Sequence, residues 1–258
     1  MSDRITGERA SEKTGGFNPA WQRHSFAYAV AGERLGEGKV LDLGCGTGHS
    51  FDRLAPRESV GVDISPDALV GQDRETLVAD IREVPLPDDS FPSVLSSHSI
   101  EHVPDPEKVV AEAARLLEED GQAVFITPNR LTFGRPDEII DPFHYIEFSP
   151  DEFEELCRKG FSEVEVEGVY GSPRYMELFN EERKTLDRLL RLDPLRLRRL
   201  VPMRLKQWLY DFLLNHFRKD DDPRAELIDQ SDFEIRAGKV DDCLDVFAFC
   251  RGPLKETA

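Results

Sequence analysis

The chain is short of several things, and each shortage narrows what it can be. Its four cysteines, at 45, 157, 243 and 250, are scattered without C-x-x-C spacing, which argues against a disulfide framework and a zinc knuckle. No apolar run approaches the length of a membrane span, and the polar start lacks a signal-peptide pattern, so the expectation is a cytoplasmic protein. Positive charge is scarce: 33 Lys and Arg against 51 Asp and Glu leave a net −18, which argues against general adhesion to nucleic acid or to an anionic membrane. What remains, 39% hydrophobic and 9% aromatic residues over 258 positions, suits a globular chain able to bury a core as one large domain or as a domain with an insertion.

The rest of the sequence is organised around Val40-Leu-Asp-Leu-Gly-Cys-Gly-Thr-Gly-His49. Val40 to Leu43 reads as the end of a buried strand, and glycines 44, 46 and 48 crowd a turn expected to lead into a helix beginning near Thr47. Glycine lets a backbone pass close to a ligand and visit positive φ, and a helix start would point unpaired N–H groups at it. A loop that holds a nucleoside also wants a carboxylate at the end of the next strand, to accept the ribose hydroxyls. Ser59-Val-Gly-Val-Asp63-Ile64 supplies one at the required separation.

Asp42-Leu-Gly-Cys-Gly-Thr-Gly48, with its acid two residues before the first glycine, resembles the first motif of class I S-adenosylmethionine-dependent methyltransferases, of the type 11/12 kind, rather than the G-x-G-x-x-G of NAD enzymes. Ala79-Asp80-Ile81 resembles the adenine-side motif of that family, Phe91 to Ser97 its fourth strand, and Gly121 to Thr127 its fifth. The resemblance covers about residues 35 to 170. It implies an α/β, Rossmann-like fold with a seven-stranded, mostly parallel sheet and helices on both faces. It also implies S-adenosyl-L-methionine as cofactor, held by Asp42, Gly44, Cys45, Gly46, Thr47, Gly48, Asp63, Ile64, Asp80, Ile81, Ser97 and His98.

Taken in order, residues 1–16 read as a flexible N-terminus, 17–175 as the cofactor-binding core, 176–222 as a helical lid inserted before the last strand, and 223–258 as a return to the core sheet. In the resembled family a segment such as the one carrying Trp21 and His24 often closes over the cofactor. Glu107 to Glu119 has the apolar spacing of an amphipathic helix. Ser149-Pro-Asp-Glu opens another, with an N-cap serine and proline in first position. Between them, Arg130 to Phe148 is longer than a connection needs and is a candidate substrate wall.

Methyl transfer from a sulfonium needs alignment and, for a hydroxyl acceptor, removal of a proton. The candidates are His98-Ser-Ile-Glu101-His102, whose members share a face if the segment is one helical turn, and His144 in the long loop. With Glu101 and His102, this pattern resembles the E-x-x-E-H and distal histidine of small-RNA 2'-O-methyltransferases and the E-x-x-E-H of ubiquinone-pathway O-methyltransferases, except that His98 stands where those carry glutamate. That resemblance implies a divalent ion on His98, Glu101, His102 and His144, and the extra nitrogen favours Zn, Mn or Fe over Mg. A metal-free alternative makes His102 or His144 a general base tuned by Glu101. A third makes Glu101 a capping residue of a common turn.

From Arg183 to Lys206 nine basic residues face two acids, a local excess of +7, and Trp208, Tyr210, Phe212 and Phe217 follow. The stretch 183–217 reads as a solvated face, a site for an anionic acceptor, or a peripheral membrane contact. The functional expectation is an S-adenosylmethionine-dependent O-methyltransferase acting on a small or oligomeric polar acceptor, a saccharide hydroxyl first, since the chain also resembles actinobacterial methyltransferases associated with methylated polysaccharides. The alternatives are methylation of a quinone or isoprenoid-linked phenol at a membrane, and a non-catalytic cofactor-binding module. Nucleic acid is not an expected partner, and the oligomeric state is left open.

Overall fold

The structure, a computed structural model, describes residues 19–134, 141–191 and 223–255 together with Ile139 and Leu205. The stretch 1–16, most of the Arg183 to Phe217 segment and the aromatic cluster within it lie outside the described residues.

Strands and helices alternate. The first half runs α1 (Pro19–Arg34), β1 (Val40–Leu43), β2 (Ser59–Asp63), α2 (Pro66–Leu69), β3 (Glu75–Val78), β4 (Phe91–Ser97), α3 (Pro106–Leu116) and β5 (Leu117–Pro128). After it come α4 (Arg130–Phe133), α5 (Pro150–Cys157), β6 (Phe161–Gly171), α6 (Pro173–Arg191), β7 (Phe233–Ala237) and β8 (Asp245–Pro253). The sheet order is β3-β2-β1-β4-β5-β8-β6-β7, with parallel pairing from β3 through β5 and antiparallel pairing on both sides of β8. The chain order reverses between β1 and β4, so the ligand crevice belongs outside the carboxyl ends of those two strands.

The expected class holds, but among the described residues the sheet has eight strands rather than seven. The extra one, β7, alternates buried Phe233 and half-buried Ile235 with exposed residues, and it pairs with the second half of β6 from Glu167 to Gly171. β7 therefore falls in the 223–258 segment expected to return to the sheet, and forms its edge before β8 returns to the centre, while α6 leads into the expected insertion. Every residue of β1 and β2 is buried, as strands covered on both faces require. One apolar cluster joins Leu41, Leu43, Val62 and Val94 to α3 and α5, and another joins Val40, Leu95 and Phe247 to α1 and Tyr175 of α6.

Two helix expectations are corrected. No helix begins near Thr47. Gly44, Gly46, Gly48 and then Ser50 all take positive φ, and only a 3-10 turn, Phe51–Leu54, follows before Ala55 turns extended ahead of Pro56. The helix expected to reach Glu119 stops at Leu116, because Leu117 is already extended and pairs with Phe91. The helix expected at Ser149 is present with a complete capping box: Ser149 Oγ accepts from the Glu152 amide at 3.4 Å, and the Glu152 carboxylate accepts from the Ser149 amide at 2.9 Å.

Candidate active site

The glycine loop leaves β1 and returns under the end of β2: the amides of Gly44 and Cys45 both donate to the Val62 carbonyl, at 2.8 and 2.9 Å. Gly44 is obligatory here, because at φ 74° it passes Ser99 so closely that a Cβ would lie 2.3 Å from the serine Cβ. Asp63 closes the loop from the neighbouring strand: its Oδ2 accepts from the Gly46 amide at 2.9 Å and its Oδ1 from the Ser65 amide at 2.8 Å. Ile64 beside it is 67% exposed, an apolar side chain left out of the core.

Asp42 lies one layer deeper. It is fully buried, takes bonds from the Tyr28 hydroxyl at 3.1 Å, and pairs with Arg74 at 2.9 Å. Burial first, partly offset by Arg74 and Tyr28, raises its pKa. The brace continues: Arg74 Nε donates to Gln72 Oε1, and Gln72 Nε2 donates to the Gly46 carbonyl at 2.9 Å. Asp42 thus fixes the loop from beneath. The Cys45 thiol is also buried, and its pKa is pushed up to about 12 by burial and then by Asp42, so it stays a neutral thiol. Thr47 is exposed at the loop tip. Of the two residues expected on the adenine side, Ile81 belongs to the core, while Asp80 is half-buried and accepts from Arg82, whose bonds hold its pKa low.

Sequence reasoning placed His98 with Glu101 and His102, but the structure separates them. His98 has φ 49°, so the backbone leaves β4 in a left-handed residue and only Ile100–His102 forms a 3-10 turn, which removes the shared helical face. Its ring turns to the other side, stacked on His24 at 3.9 Å, with Nδ1 3.1 Å from Ser97 Oγ and Nε2 3.2 Å from Asp245. His98 is therefore removed from the candidate metal set.

The other three candidates do converge, with one donor atom from each of Glu101, His102 and His144 within 4.8 Å of the others. Glu101 is buried and accepts from the Thr127 hydroxyl at 3.2 Å, while its carbonyl accepts from the Tyr145 amide at 2.9 Å and ties the long loop to the turn. His102 Nδ1 donates to the Phe143 carbonyl at 3.0 Å, while His144 Nδ1 lies 3.1 Å from Glu147 Oε1 and its Nε2 3.9 Å from Asp141 Oδ2, which fixes both rings. The rings sit edge to face at 5.0 Å. Burial opposes charge on His144, but the bond to Glu147 and the fields of Glu101 and Asp141 outweigh it and raise its pKa.

Glu147, Thr127, Tyr28, Arg74, Gln72, Arg23 and Asp245 were not foreseen. Arg23 and Asp245 form a buried ion pair at 2.9 Å that ties α1 to β8. Only the His-x-x-Glu spacing of His144 and Glu147 carried a local signal.

The fold agrees with that of known proteins. Residues 41–125 match the family described as methyltransferase domain. A probable S-adenosylmethionine-dependent methyltransferase of Mycobacterium tuberculosis is 35% identical over 184 residues, 67% of this chain and 67% of that protein. One from Mycolicibacterium smegmatis is 33% identical over 184 residues, 67% of this chain and 71% of that protein. The crystal structure of an S-adenosylmethionine-dependent methyltransferase from Thermotoga maritima shares the fold, with TM-score 0.57 and 19% identity, over 90% of this chain and 91% of that one. The chain belongs to the S-adenosylmethionine-dependent methyltransferases. It is a methyltransferase, and S-adenosylmethionine is its methyl donor.

Proposed function

We propose that the enzyme methylates a hydroxyl oxygen of a polar acceptor, a saccharide first among them, at Glu101, His102 and His144. The observation that supports this most is the cluster itself. A buried carboxylate and two imidazoles, each held through Nδ1 by an oxygen, leave their unshared electron pairs on one small volume at the carboxyl edge of the sheet. A sulfonium donor supplies its own leaving group, so the chain's part is to align the acceptor oxygen and take its proton. His144, made more basic by Glu147, is the group for that step, with His102 and Glu101 orienting the hydroxyl.

The donor set also fits a divalent ion. Among the described residues, the Glu101 carboxylate accepts from the uncharged Thr127 hydroxyl, and each imidazole is held through Nδ1 as a ligand histidine is. Glu101, His102 and His144 would hold the ion, with Asp141 at 3.9 Å from His144 as a further donor. When bound, such an ion would lower the pKa of the hydroxyl.

The reading places the enzyme in the cytoplasm. Among the described residues no helix is long and apolar enough to cross a membrane, and the four cysteines are free and buried. A free oligosaccharide acceptor, with no nucleic acid, suits the net charge of −18. The test is transfer of isotope from labelled S-adenosylmethionine to a panel of mono- and oligosaccharides, quinols and amines, with elemental analysis of the purified protein and vesicle flotation alongside. Label in a sugar ether supports the proposal. Label confined to an amine, or to a quinol together with flotation, overturns it. Stoichiometric metal that is lost in His102→Ala separates the ion from the histidine base.

A further inference from the structure

Three imidazoles line the reversal point between β1 and β4, and the transfer step leaves them without a role. His24 comes from α1, His49 ends the glycine loop and His98 follows β4. His24 stacks on His98 at 3.9 Å and 16° and lies 5.6 Å from His49, whose ring meets Tyr28 edge-on at 5.9 Å. His98 keeps its left-handed backbone because its ring is fixed on several sides, by His24, Ser97 and Asp245.

The electrical setting of this group is unusual in what it withholds. Burial first, then the neighbouring imidazoles and Arg23, hold His24 well below its ordinary pKa, and burial with His98 brings His49 to about 4. The charges that face the group from the surrounding elements are already matched. Arg23 of α1 pairs with Asp245 of β8 at 2.9 Å, Asp42 of β1 pairs with Arg74 at 2.9 Å, and Asp63 of β2 accepts from two backbone amides. His24 and His49 therefore stay uncharged at neutral pH, among charges that are already paired.

We propose that the rings of His24, His49 and His98 form the wall facing the sulfonium, and that this aromatic lining sets how strongly the enzyme prefers S-adenosylmethionine to its spent product. The proposal rests on placing the cofactor over the glycine loop. In the transfer, the bond from sulfur to the methyl carbon breaks and the bond from the acceptor oxygen to that carbon forms. The bonding pair stays on sulfur, which becomes a neutral thioether. Donor and product thus differ at one atom, by one methyl group and one positive charge. A π face attracts the sulfonium and gains little from the thioether, while a fixed positive charge in its place would repel only the former.

The test is titration calorimetry of S-adenosylmethionine and S-adenosylhomocysteine, at neutral pH and low salt, on the wild type and on His24→Lys, His24→Phe and His49→Lys. The expected result is that each lysine variant weakens S-adenosylmethionine about tenfold more than S-adenosylhomocysteine, while His24→Phe keeps the wild-type ratio of the two affinities. A merely structural role would weaken both ligands alike, so an unchanged ratio in the lysine variants overturns the proposal. Should His24→Lys not fold, His49→Lys carries the same expectation. The outcome that defeats the underlying placement is different: an Asp63→Ala variant that binds both ligands as tightly as the wild type.

Discussion

The half of the crevice assigned to the cofactor is held by strands and buried charge, whereas the half proposed for the acceptor is held by a loop. Asp42, Tyr28, Arg74 and Gln72 form a continuous chain beneath the glycines, and Asp42 and the guanidinium of Arg74 are almost wholly out of solvent. Glu101, His102 and His144 depend instead on the turn after β4 and on the segment around Phe143 to Glu147, which reaches the sheet through backbone bonds to Glu101 and the parallel bridge of Phe148 to Asn129. The difference suits the work. The donor is the same molecule throughout the family, so its site can be rigid, while acceptor choice calls for a wall that can vary without disturbing the sheet.

The sharpest way to break this comparison is to remove the charge under the glycine loop. Arg74→Met leaves the Asp42 carboxylate buried without its cation, and the expected loss is about 3–5 kcal/mol of stability in urea titration. A loss below about 1 kcal/mol would mean that the brace is incidental. On the acceptor side, Glu101→Gln and His144→Ala are each expected to lower turnover by about 10²–10³-fold while cofactor affinity in calorimetry moves by less than about threefold. Parallel loss of affinity would show that the two halves are one unit.

A pH titration sharpens the contrast next. His49 has a folded pKa of about 4 against an ordinary 6.5, so the unfolded chain binds its proton first on acidification. The stability it contributes is complete above pH 6.5 and is lost as pH falls towards 4, about 3 kcal/mol in all. Denaturation of the wild type should show this slope, and His49→Gln should flatten it. His144, with its pKa raised, works in the opposite sense: its contribution is present below the unfolded value and fades as pH rises through the folded one.

The cofactor half was legible in the sequence because its signals are local. Glycines that need positive φ and an apolar strand ending in Asp63 declare themselves within a few residues. What stabilises them was not legible, since Tyr28 meets Asp42 and Arg23 meets Asp245 only once the chain is folded. His98 was misplaced for a definite reason. Its spacing to Glu101 and His102 has meaning only in a helix, and a single left-handed residue cancels it. β7 was passed over because Phe-Glu-Ile-Arg alternates over too few residues to stand out beside the long apolar run of β8.

Asp63 gives the mildest and most discriminating test. Its carboxylate already serves two backbone amides, and a ribose would add hydroxyl donors to the same oxygens. Asp63→Asn keeps the size and one acceptor oxygen but turns the other into a donor aimed at an amide or at the sugar. The expected outcome is about tenfold weaker binding of both S-adenosylmethionine and S-adenosylhomocysteine, with their ratio unchanged, because the ribose is common to the two. A shift in the ratio would place Asp63 near the sulfonium, and the distinction between a ribose end and an imidazole-lined end of the crevice would then have to be redrawn.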